Sequence, residues 1–164
     1  MTTYTLVHVV ISLAGIVSGL VVLAGLLTAQ RLDRWTAVFL ATTTATSVTG
    51  FGFPFERLLP SHVVAVLSLV VLAISMYARY GRRLDGAWRW VYAVTAVTAL
   101  YFNVFVLVVQ LFLKVPALNA LAPTQSEPPF TLAQGVVLIA FLVLGVLTVK
   151  TFKPSASKNL VRST

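Results

Sequence analysis

Cysteine is absent from this chain. Its absence excludes disulfides, thiolate metal sites, iron–sulfur clusters and cysteine nucleophiles. Acid is scarce: Asp33, Glu56, Asp85 and Glu127 are the only four carboxylates in 164 residues. None falls inside a long apolar run. This argues against a proton-coupled pump, whose relays rest on buried acids. Charged residues make up 10% of the chain, against about 25% in a soluble domain. Phosphate-binding loops, the dinucleotide-binding glycine pattern, HExxH and GxSxG are all missing. An enzyme would have to rest on His8, His62, Glu56 or Glu127. The reading leans away from one, and no catalytic or metal set is assigned.

What is present is apolar. Hydrophobic residues form 59% of the sequence, and mean hydropathy is +0.95. So short a chain cannot hide that much apolar surface from water. The lipid bilayer is therefore its expected solvent and first partner. Five apolar runs stand out: Tyr4–Ala29, Trp35–Phe53, Ser61–Tyr80, Trp88–Leu113 and Phe130–Phe152. Each reaches the roughly 17–25 residues that a spanning helix requires. The expected fold class is all-α: an integral membrane bundle of five transmembrane helices. It forms one domain over 1–153, followed by a short basic tail at 154–164. No Lys or Arg precedes the first run, so it reads as a retained helix rather than a cleaved signal.

The net charge of +8 is distributed unevenly. Arg31, Arg34, Arg79, Arg82, Arg83, Arg89, Lys150, Lys153, Lys158 and Arg162 fall on one side of a five-span chain; Arg57 and Lys114 fall on the other. A bias of ten against two puts the first set in the cytoplasm. The N-terminus is then outside and the C-terminus inside. These cations flank spans and are not interleaved with aromatics, so nucleic acid is not an expected partner. Trp35, Trp88, Trp90, Tyr4, Tyr80 and Phe152 sit near run ends, as an aromatic belt would.

The second run, WTAVFLATTTATSVTGFGF, is unusual. Five Thr and one Ser lie between Thr42 and Thr49. Thr42, Thr46 and Thr49 share one helical face, and Thr43, Ser47 and Gly50 the next. A hydroxyl in a helix can bond back to a carbonyl three or four residues earlier. Such a stripe serves either close helix approach with hydrogen bonds across the contact or a polar wall beside a ligand. The following GFGFPFER is expected to unwind the helix, since Gly52 and Pro54 oppose it.

The remaining polar groups fall on one side. His8, His62, Gln110, Lys114 and Gln134 all lie in the outer part of their runs, and Asn103 falls near the midplane. Asn103 needs a partner on another helix, which a Thr of the second run can supply. The expected function is a non-enzymatic multi-pass protein that binds or passes a small apolar or amphiphilic ligand at an outer-side pocket, alone or as a subunit. Its candidate ligand-binding residues are Thr42, Thr46, Thr49, Asn103, Gln110 and Gln134. One alternative is a redox protein in which His8 and His62 hold haem b or a quinone. Another is a structural accessory subunit. Gly15 and Gly19 form a GxxxG, a surface for close helix approach within the chain, to a second copy or to a membrane partner. After the fourth run, ALNAL reads as a short helix, and the loop around it as a lid or a connector. Ser126 reads as the cap of the fifth run.

The segments SVTGFGFPFERLLPSH, LYFNVFVLVVQLF and PALNALAPTQSEPPF resemble small, uncharacterised polytopic inner-membrane proteins of bacteria. The resemblance covers nearly the whole chain. It implies a bacterial inner (plasma) membrane location and no particular activity.

Overall fold

The computed structural model describes residues 2–53 and 60–152. Expectations for Pro54, Glu56, Arg57 and the tail 154–164 fall outside the described residues. Among those described, every regular element is helical. In chain order they are α1 (Thr3–Leu27), α2 (Asp33–Gly50), α3 (Pro60–Met76), α4 (Trp88–Lys114), α5 (Pro116–Leu121) and α6 (Pro128–Thr151). α3 runs on into a π-helical turn, Tyr77–Gly81.

Four helical stretches are long and apolar enough to cross a membrane: α1, the α3 stretch His62–Gly81, α4 and α6. The sequence led us to expect five. α2 has 18 residues, but its hydroxyls, together with Asp33 and Arg34, dilute its apolar content. The structure corrects one expectation at the start of α6. Glu127 rather than Ser126 holds the N-cap position of α6, and its side chain makes no capping bond. The carboxylate instead accepts from the Thr124 and Ser126 amides, and α6 starts on a proline, which has no N–H in need of an acceptor. α5 forms where ALNAL predicts it. The loop around α5 is tied to the end of α4 by Asn119 to the Phe112 carbonyl (3.1 Å) and Gln125 to the Val109 carbonyl (2.9 Å).

α4 is the hub, packing on α1, α3, α5 and α6, while α2 lies between α1 and α3. Gly19 shows why α1 can come so close. A β-carbon there would sit 2.6 Å from Leu100 and 2.8 Å from Phe39. Gly15 faces Thr43 and Asn103 in the same way. The GxxxG face is thus occupied by α2 and α4 of the same chain.

The apolar core is concentrated toward one end. Val22, Leu23, Leu26, Phe39, Leu40, Leu72, Tyr92, Ala96 and Leu100 are buried together. Hydrocarbon is as apolar as these side chains, so close packing rather than escape from water holds such helices together. α6 is the opposite case: only Thr148 is buried, and Leu132, Val136, Ile139 and Leu142 stand exposed. That face suits lipid tails. The α1–α2 and α3–α4 connections put Ala29, Leu32, Arg83 and Leu84 at positive φ. Non-glycine residues in that region cost about 1 kcal/mol or more each, and persist where surrounding contacts impose them.

Candidate functional site

Two polar layers lie at opposite ends of α2. The first surrounds its C-terminal half. The His8 ring nitrogen Nδ1 pairs with Thr49 Oγ1 at 2.8 Å, and the Tyr4 hydroxyl donates to the Thr49 carbonyl. His8 and Tyr4 both meet the Phe53 ring edge-on, with centroids 5.0 and 5.1 Å away. Gly52 lets the chain pass the Tyr4 hydroxyl, which would clash with any β-carbon there. Two residues earlier on α2, Ser47 Oγ donates to Ser68 of α3 at 3.2 Å. Deeper again, Asn103 Nδ2 donates to Thr43 Oγ1 at 3.0 Å, where Thr43 is fully buried.

The candidate residues therefore divide. Thr49 joins α1 to α2, and Asn103 joins α4 to α2. Thr43, on the neighbouring face, is the threonine that meets Asn103. Thr42 bonds back to the Val38 and Phe39 carbonyls. Thr46 does neither: its buried hydroxyl makes no hydrogen bond. Gln134 donates to the Phe105 carbonyl at 3.1 Å, while its Oε1 is buried without a partner. Gln110 is exposed and stays apart from these residues. His62 is buried, with its ring 5.7 Å from Phe51. The two histidines thus pack against different phenylalanines of the 51–53 turn. Among the described residues, no three His, Asp or Glu gather as a metal site would require.

The chain matches no protein-family model, no curated protein and no solved structure. Its function has to be read from its own geometry.

The second layer lies where α2 begins. α3 carries a buried stripe, Ser68, Leu72 and Ser75, at helical spacing, and the next position on it is Arg79, only 6% exposed. Arg79 Nη2 donates to the Arg31 carbonyl at 3.1 Å and to the Asp33 carboxylate, with which it forms an ion pair. The guanidinium carbon also lies 5.1 Å from the Tyr92 ring centroid, within cation–π range. Tyr92 pairs in turn with Thr36 at 3.2 Å. In the sequence Arg79 reads as one more flanking cation, with Asp33 among the arginines on the same side. The two do pair, but the pair ties two helices together and buries the arginine. The available signal was the spacing of Arg79 from Leu72 and Ser75, which continues the buried face.

Proposed function

We propose that the chain is a five-span protein of a bacterial plasma membrane, N-terminus outside and C-terminus in the cytoplasm. In this reading it binds a small apolar or amphiphilic ligand beside α2 in its outer half. The observation that carries the ligand reading is the pair of buried acceptors without partners, Thr46 Oγ1 and Gln134 Oε1. Thr46 belongs to the α2 layer in which His8, Thr43, Ser47, Thr49 and Asn103 are all paired, while Gln134 lies on α6 against the Phe105 carbonyl of α4. An unanswered buried polar atom costs about 1–3 kcal/mol. A small donor entering this layer recovers that cost.

The span count draws support from how α2 lies. Its first residue meets Arg79 at one end of α3, and Thr49 meets Tyr4 and His8 at the start of α1. Eighteen residues rise about 27 Å, close to the roughly 30 Å hydrocarbon core. Thr36, Thr43 and Ser47 are buried against protein, so a helix this polar need not show its hydroxyls to lipid.

Both parts can be tested. The chain has no cysteine, so Gln30→Cys, Ala87→Cys and Ala120→Cys each report one loop to a membrane-impermeant maleimide. Five spans place residues 30 and 87 on the same, protected side, and residue 120 outside. Labelling of residue 87 but not residue 30 in intact cells would remove α2 as a span. For the ligand, wild type and a Thr46→Val, Gln134→Leu double variant are purified from the same membranes and their retained small molecules identified by mass spectrometry. Loss of two hydrogen bonds lowers retention about tenfold or more. Identical extracts from two folded proteins would end the ligand reading.

A further inference from the structure

A cavity of about 210 Å³ opens beside Arg79, lined by Arg31, Asp33, Arg79, Tyr80, Arg83 and Leu84. Three arginines face one carboxylate there, an excess of two positive charges. Asp33 compensates Arg79 poorly, because its side chain is 81% exposed and water screens it. Both of Arg79's direct bonds use Nη2, and its buried Nη1 has no hydrogen-bond partner. Burying a cation is costly unless it is paired and all its donors are used. The chain supplies part of what Arg79 needs, and its side chain lies on the wall of a cavity with two further arginines.

The surroundings favour the same kind of ligand. α2 starts at this cavity, and its N-cap residue Leu32 offers no side-chain hydrogen bond. The positive end of an 18-residue helix therefore adds to the field. The volume is below the 300 Å³ or more usual for drug-sized ligands, and several times the roughly 30 Å³ of a water. Tyr80 on the wall, with Trp88 beside Tyr77 on the adjoining turn, sets the cavity among aromatics of the kind found at headgroup depth.

We propose that this cavity is an anion-binding site for a terminal phosphate group, supplied by a lipid headgroup or as free phosphate. The Arg31, Arg79 and Arg83 guanidinium groups on its wall are the donors. The site is separate from the outer-half ligand layer and does not depend on it. If the five-span orientation holds, the cavity faces the cytoplasmic leaflet, where anionic lipids are abundant.

The test uses full-length protein in a neutral detergent and follows the melting temperature. Inorganic phosphate, short-chain phosphatidic acid and short-chain phosphatidylcholine are titrated separately. The expected result is a saturable rise with phosphatidic acid, phosphate or both, and none with phosphatidylcholine. Saturation by phosphatidic acid at a tenfold lower concentration than phosphate identifies the lipid headgroup; equal concentrations identify free phosphate. Arg83→Gln, at an exposed position, weakens binding about tenfold, as loss of one charge-assisted bond would. Arg34→Gln removes an equal charge outside the cavity and leaves binding within about twofold. A shift lost equally in both variants would show diffuse surface attraction and overturn the site, as would the absence of any saturable shift.

Discussion

The two ends of α2 handle polarity in opposite ways. At the Thr49 end the groups are neutral, and most answer one another: His8 with Thr49, Ser47 with Ser68, Asn103 with Thr43. At the Asp33 end a full charge is buried on Arg79, one of its nitrogens is unanswered, and its counter-ion sits in solvent. Neutral pairs are cheap in a bilayer, because most hydroxyls can fall back on a carbonyl of their own helix. A guanidinium has no such fallback. A buried arginine only half-served by its own chain is weak as a structural clamp. At the Thr49 end most of the polar groups bridge helices, and on the proposed anion site the Asp33 end is where stability is given up for binding.

The largest expected effect sharpens that contrast. Asp33→Ala removes the counter-ion and leaves Arg79 buried with the Arg31 carbonyl and two tyrosine rings. Breaking a fully buried pair costs 3–5 kcal/mol. Because Asp33 is exposed, we expect about 2 kcal/mol. Arg79→Met keeps much of the side-chain volume and removes the charge altogether, and should leave stability within about 1 kcal/mol of wild type or raise it. Chemical unfolding in mixed micelles measures both. If Arg79→Met proves more damaging than Asp33→Ala, the arginine is a clamp and the contrast between the ends collapses.

Helices and their order were legible in the sequence because apolar runs of span length have few other uses. ALNAL was legible for a local reason, its flanking prolines; the proline start of α6 was not, because Ser126 reads as the better cap. Thr46 and Thr49 could be placed on one face by counting alone. Which threonine meets Asn103 could not. Thr43 and Thr42 differ by 100° around α2, and the choice depends on how closely Gly15 lets α1 approach, a long-range fact. Arg79 was obscured by its company: beside Arg82 and Arg83 it looks like one more flanking cation. The burial that sets it apart follows from α2 folding back to bring Arg31 and Asp33 against α3. The low hydropathy of α2 was visible, but the surfaces that cover its hydroxyls are spread over α1, α3 and α4.

A smaller effect tests the neutral end. Asn103→Leu removes the amide that bridges α4 to α2 and leaves Thr43 buried, still able to bond within its own helix. Hydrogen bonds between membrane helices average about 0.6 kcal/mol and reach about 1.7. We therefore expect a loss of about 1 kcal/mol, half of that for Asp33→Ala. Thr43→Val should cost a similar amount, and the double variant about 1.4 kcal/mol, less than the two single losses added. The coupling energy from that cycle, about 0.6 kcal/mol, measures the contact itself. Its size decides what the Thr49 end is. A value near 0.6 kcal/mol fits an adhesive pair with an easy alternative. A coupling above about 2 kcal/mol would mean that the Thr43–Asn103 pair is held as rigidly as a binding-site wall, and the ligand layer would then centre on that pair rather than on Thr46 and Gln134.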